Sequence, residues 1–171
     1  MMNDKMQDAI NKQIQAETYS AYLYLSMASF FHEKGLDGMA QWMKSQAVEE
    51  MGHAMRMFDH VVERGGRVKL MAIDQPPLKW SGQVAVWENV AKHEAHVTSL
   101  IHKLVKLARK EEDYASENML QWFVNEQVEE EANAASILQR AKMVGDAGQG
   151  LFMLDKELGA RAVTLPVLLS E

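Results

Sequence analysis

Four stretches of the chain repeat core-type residues at steps of four and three, the period of an amphipathic α-helix. The first, about Asp4 to Glu33, reads Ile10, Ile14, Glu17, Ala21, Tyr24, Ala28 and Phe31. The second, about 38–64, reads Met39, Met43, Gln46, Glu50, His53, Met57 and Val61. The third, about 82–111, reads Trp87, Val90, Glu94, Val97, Ile101, Leu104 and Ala108. The fourth, about 114–144, reads Leu120, Phe123, Gln127, Glu130, Ala134, Ile137 and Ala141. All 3 prolines lie outside these stretches, as helix interiors require. Asp37, Ser81 and Asp113 stand where N-caps are expected, and Gly35, Gly65-Gly66 and the Gly145, Gly148, Gly150 cluster where helices end. A short fifth helix, about 149–158, places Leu151, Leu154 and Leu158 on one side. The tail 159–171 contains Pro166 and several apolar residues, and no element is assigned to it.

Loop lengths turn these helices into an all-α bundle. The first pair and the second pair have short connections, so each pair is antiparallel. Residues 65–81, which hold Pro76-Pro77, span roughly 55 Å when extended. A helix of about 28 residues is roughly 42 Å long. This connection can therefore cross the whole bundle. With 171 residues, the chain fits one domain, 1–171.

Composition narrows the function classes. Cysteine is absent, which excludes disulfides, thiolate nucleophiles and Cys-based metal sites. The net charge of −6 argues against nucleic acid as a partner. No apolar run is long enough to span a membrane, and the opening residues Met1 to Asp8 lack the pattern of a secretory signal. A cytoplasmic protein is expected.

Each helical stripe has a polar break near its midpoint. Glu17 follows Asp4 by 13 residues, Glu50 follows Asp37 by 13, Glu94 follows Ser81 by 13, and Gln127 follows Asp113 by 14. Midpoints meet at one level whichever way a helix runs. The expectation is one layer, halfway down the bundle, of Glu17, Glu50, His53, Glu94, Gln127 and Glu130. Glu50 and His53, three apart, share a face. Inward carboxylates at one level repel and are costly to desolvate, and a cluster of cations would neutralise them. Oxygen ligands with one imidazole suit iron or manganese, and zinc less well. A purely structural bundle, with some of these residues facing solvent, is the competing reading. His93 and His96 flank Glu94 off the stripe and are expected at the surface, His60 at the bundle end. Met51 points away from the layer, and the 13 methionines are expected mainly as core filler.

Together, Glu17, Glu50-Met51-Gly52-His53, Glu94, Gln127 and Glu130 resemble the site of the non-haem bacterial ferritins. The resemblance covers about residues 4–158 and implies a ferritin-like four-helix bundle with one long crossover and a short fifth helix. It implies a ferroxidase: iron(II) pairs at Glu17, Glu50, His53, Glu94 and Glu130, with Gln127 close by and Glu50 bridging. Tyr24 matches the tyrosine beside the family's iron site, a further electron donor. Dioxygen or hydrogen peroxide is the oxidant. Glu49, Glu126 and Glu129 match its extra carboxylates; Glu126, Glu129 and Glu130 stand at i, i+3 and i+4, so with Glu49 they are expected to form a third, weaker iron site. The family stores iron as mineral inside a homo-oligomeric shell of twenty-four subunits, whose fourfold contacts the fifth helix would line. The fourth helix carries Gln127-Val128-Glu129-Glu130 where bacterioferritins and di-iron oxygenases have a second Glu-x-x-His, so haem is not expected. The alternative is a di-iron oxidase or peroxidase, or a bacterioferritin-like protein, without the same storage role.

Overall fold

A computed structural model describes residues 2–162; the last part of the tail, 163–171, lies outside the described residues. Among the described residues five helices form: α1 (Asp4–Glu33), α2 (Asp37–Glu63), α3 (Gln83–Lys110), α4 (Tyr114–Val144) and α5 (Gln149–Leu158). Among the described residues there is no strand. All seven positions of each of the four stripes are buried.

The helix ends show how the elements are held. At one end of the bundle, Met2 N donates to Arg64 O (3.2 Å), Lys5 pairs with Glu111 (3.0 Å) and Arg64 pairs with Asp113 (2.8 Å). His60 meets Ser116 Oγ there at 3.0 Å, at the bundle end as expected. The starts of α1 and α4 therefore lie beside the ends of α2 and α3. Both hairpins are antiparallel, and α1 runs parallel to α4.

The long connection is laid along α1. Gln7 accepts from Arg67 N (2.8 Å), Asn11 accepts from Lys69 N (3.1 Å), and Ser26 donates to Pro77 O (2.6 Å). Trp80 then packs edge-on against Phe30, centroids 5.4 Å apart. The chain thus travels from the first turn of α1 to its last, its backbone polar groups met by α1 side chains.

Two of the three expected caps differ. Asp113 does cap α4, accepting from Ser116 N at 3.1 Å. Asp37 is instead the first residue of α2, and the cap comes from α5: Asp155 Oδ1 accepts from Met39 N at 2.8 Å. Ser81 does not cap α3; Asp146, just past α4, accepts from Gln83 N at 2.7 Å. Both orphan N-termini are satisfied by carboxylates distant in sequence, a stronger arrangement than a serine because the acceptor is charged.

The apolar core is split in two. One cluster holds Tyr24, Met27, Phe31, Met43, Trp87, Val90 and Ile137, and extends to Leu154 and Leu158 of α5. The other holds Met6, Ile10, Met57, Val97, Ile101, Leu120 and Phe123. Between them lies the polar layer. Methionine does not serve only as filler: Met51, Met71, Met143 and Met153 are exposed.

Candidate metal centre

The layer between the two clusters is made of buried acids. Glu17, Glu50, His53, Glu94, Gln127 and Glu130 are all 6 % exposed or less. Four helices contribute because each carries its polar break at mid-length, where an antiparallel bundle brings midpoints together. No lysine or arginine lies on the four stripes.

Glu17, Glu50 and His53 come closest. One ligand atom from each lies within 4.8 Å of the others. Glu50 Oε2 stands 3.5 Å from His53 Nδ1, across one turn of α2. Gln13 donates to Glu17 Oε1 at 2.8 Å, and Gln46 donates to Glu50 Oε1 at 3.3 Å. Glu17 Oε2 is buried with no partner. An orphaned buried carboxylate oxygen is costly unless something binds it.

On the other side, Tyr24 OH donates to Glu94 Oε1. Gln127 donates to Glu94 Oε2 at 3.3 Å and to Thr98 Oγ1 at 3.2 Å. Gln127 thus orients Glu94 from α4. Tyr24, fully buried, also meets Trp42 and His93 edge-on, with centroids 6.3 Å away in each case.

The electrostatics follow from burial without counter-charge. Burial, then the charge of Glu50, pushes the Glu17 carboxyl up to about 8. Burial, then Glu94, raises Glu130 to about 7. Glu50 is raised by burial and by Glu94 and Glu130, and Glu94 by burial, against the hydrogen bonds from Tyr24 and Gln127. Burial, then Glu94, pushes the Tyr24 phenol well above its ordinary range. Without a cation these acids hold protons; a divalent ion would replace the protons and restore four carboxylate ligands. The donor set of carboxylate oxygens and one imidazole fits a hard or borderline metal ion.

The remaining expected residues lie outside this layer. Glu126 is half-buried and raised by burial, with Glu129 and Glu49 adding to the rise, while Glu129 is exposed. Glu49 is paired: Arg161 Nη2 donates to its Oε2 at 2.6 Å. The three extra carboxylates therefore do not stand as a free acidic strip, because a guanidinium already engages one of them. Met51 is exposed, pointing away from the layer.

Other residues stand out only in the fold. His93 is not a surface histidine: it is half-buried, its Nε2 lies 2.8 Å from Ser20 Oγ, and burial lowers it to about 4. Trp122 packs edge-on to His53, centroids 5.4 Å apart, and Arg56 covers its ring. Gln13 and Gln46 each stand four residues before the glutamate they serve, so the Gln-x-x-x-Glu spacing at two of the four breaks is a signal the sequence does carry. Arg161 has no such signal.

Comparison with known proteins decides the family. A ferritin-like domain model matches residues 7–144. The chain belongs to the ferritin family. It is 47 % identical over 161 residues to a bacterial non-heme ferritin of Bacteroides fragilis, spanning 94 % of this chain and 100 % of that one. A probable bacterial non-heme ferritin-like protein of Haemophilus influenzae is 36 % identical over 159 residues, 93 % of this chain and 96 % of that one. Among solved structures, an engineered closed form of the Archaeoglobus fulgidus ferritin superimposes with a TM-score of 0.94 at 52 % identity, covering 96 % of this chain and 100 % of the other. The open-pore ferritin of the same archaeon gives 0.93 at 52 % identity, covering 95 % of this chain and 100 % of the other. This ferritin-family chain shares with those proteins the helical bundle and the short C-terminal helix.

Proposed function

We propose that the protein is a ferroxidase and iron store: it oxidises iron(II) at the buried layer and deposits iron(III) as mineral inside a homo-oligomeric shell. The observation that carries the reading is the buried Glu17–Glu50–His53 group, with Glu17 Oε2 unpartnered in a layer that has no lysine or arginine on its stripes. Iron(II) is the substrate. One ion is held by Glu17, Glu50 and His53, the other by Glu50, Glu94 and Glu130, with Glu50 between them. Two iron(II) ions supply the two electrons, and solvent the two protons, that reduce dioxygen to hydrogen peroxide. Carboxylates favour iron(III) because hard anionic oxygen stabilises the higher charge. Tyr24, donating to Glu94, is placed to give a further electron and proton.

The only histidine on the stripes at this level is His53, so one ion has a nitrogen ligand and the other has oxygen alone. That asymmetry favours release of product over permanent retention. Glu130 links the pair to Glu126, Glu129 and Glu49, the third and weaker iron position on the way to the store. The shell has twenty-four subunits, as the resemblance implies, and the protein works in the cytoplasm. Among the described residues no helix is long and apolar enough to cross a membrane.

The test is anaerobic iron(II) titration of metal-free protein, followed by oxygen, with particle size measured before and after. Two tightly bound ions per subunit, fast oxidation and a growing electron-dense core are expected. A protein that takes up no stoichiometric iron fails the reading.

A further inference from the structure

Arg161 follows α5 by a tight turn, in which Gly159 N donates to Asp155 O (3.0 Å) and Arg161 N to Leu158 O (3.3 Å). Its guanidinium lies on one face of α2. It stacks over Trp42, with Cζ 4.5 Å from the ring centroid. Nη1 donates to Gln46 Oε1 at 2.8 Å and Nη2 to Glu49 Oε2 at 2.6 Å. Trp42, Gln46 and Glu49 stand at i, i+4 and i+7, so one continuous helix face receives the whole fork. Gln46 in turn donates to Glu50 Oε1, placing the guanidinium two hydrogen bonds from the bridging carboxylate.

We propose that Arg161 is an internal latch that competes with iron for Glu49: docked, it withholds that carboxylate from the outer iron position, and iron arriving there displaces it. This rests on the ferroxidase reading and concerns the regulation of that same site. The guanidinium and the ion draw on the same negative charge, and an ion seated at Glu49 would meet the positive charge of Arg161 beside it. The contact is also reversible in kind. Arg161 and Glu49 are each part-exposed, with side chains 24 % and 21 % accessible, so water can take over both partners when the fork leaves. The buried pair, by contrast, has no basic side chain on its stripes to displace. Occupation of the outer position is therefore tied to release of Arg161 from Glu49.

The experiment is an anaerobic iron(II) titration by calorimetry on the assembled protein, comparing wild type with Arg161→Gln and Arg161→Lys. Far-UV circular dichroism and the affinity of the first two ions report whether the bundle is intact. Removing a competitor raises the competent fraction of Glu49, so Arg161→Gln should bind the third ion about tenfold more tightly, with the two inner ions unchanged. Arg161→Lys keeps the charge and loses the fork, and should fall between. A third ion seen only in Arg161→Gln supports the latch equally. Equal third-ion behaviour in wild type and Arg161→Gln, whether both bind three or both bind two, overturns it. A weaker third ion in Arg161→Gln also overturns it, because Arg161 would then be organising Glu49 rather than withholding it. Loss of the two inner ions in wild type instead fails the ferroxidase reading, and the third-ion comparison still decides the latch.

Discussion

Glu17 Oε2 is a buried oxygen with no partner other than a proton or a cation shared with Glu50. Around it, Glu50, Glu94 and Glu130 would repel one another if ionised, so the metal-free layer holds protons in place of charge. Glu50→Ala should therefore abolish fast iron(II) oxidation, by at least about 100-fold, while leaving the bundle folded and no less stable; stopped-flow absorbance and thermal melting check the two halves. The titration has a sign that can be worked out. Glu17 at about 8 and Glu130 at about 7 bind protons more tightly in the folded state than at their ordinary value of 4.5. Their stabilisation is present in full below pH 4.5 and is lost as pH rises through 7 to 8, by up to about 1.4 kcal/mol per pH unit for each group. Metal-free protein should melt lower at pH 7.5 than at pH 5.5, and iron(II) under anaerobic conditions should remove that fall. A metal-free melting temperature that rises over this interval contradicts the acid layer. These residues were legible in the sequence because a glutamate that interrupts an apolar stripe is carried into the core with its neighbours, where its charge needs a cation or a proton. His93 was not, since the off-stripe side of α3 is packed against Ser20 and Tyr24 of α1, a contact that periodicity on one helix does not contain.

The helices themselves follow the period closely, but two of their N-termini do not follow local rules. Asp37 and Ser81 look like caps, yet α2 and α3 are capped by Asp155 and Asp146. Local capping signals are reliable when the chain has no better acceptor, and here the ends of α4 and α5 deliver charged ones. The consequence is that α5 is keyed into the start of α2. Gly38 makes this contact: a Cβ there would sit 1.8 Å from Asp155 O, backbone that cannot swing aside. Gly159 is similarly close, its added Cβ 2.8 Å from Gly38 Cα. Gly38→Ala should push α5 off α2, costing about 1–3 kcal/mol, and calorimetry should record a melting temperature lower by a few degrees. Because Arg161 follows α5, the same change should loosen the fork on Glu49. Asp155→Ala removes the cap while keeping the space, and should cost about 1 kcal/mol. An unchanged melting temperature in both variants would show that α5 contributes nothing to the subunit.

At the scale of the whole molecule α5 turns its leucine side inward. Leu154 and Leu158 are buried against the subunit's own core, and Leu151 is partly buried there. They are therefore not the surface that faces symmetry mates. The outward side is Phe152 and Met153, 69 % and 63 % exposed. A stripe of three leucines reads as a single sticky face in the sequence, and only the turn at Gly145 and Gly148 decides which way that face folds back. Elsewhere Tyr22 and Leu25 of α1 and Leu70 and Leu78 of the crossover are also exposed. Large apolar side chains left in water on several sides of one subunit favour burial against further copies. The protein should therefore run as one large closed particle at micromolar concentration, by light scattering and native mass spectrometry. Phe152→Asp with Met153→Asp places charge on the outward side of α5 while leaving Leu154 and Leu158 seated. That variant should keep its helix content and its two inner iron(II) ions, and should stop at a smaller oligomer. If it still assembles to the full particle, α5 is not an assembly contact, and the exposed faces of α1 and the crossover carry the closure instead. Retention of the inner ions in the smaller species would also separate oxidation, a property of one bundle, from storage, a property of the enclosed volume.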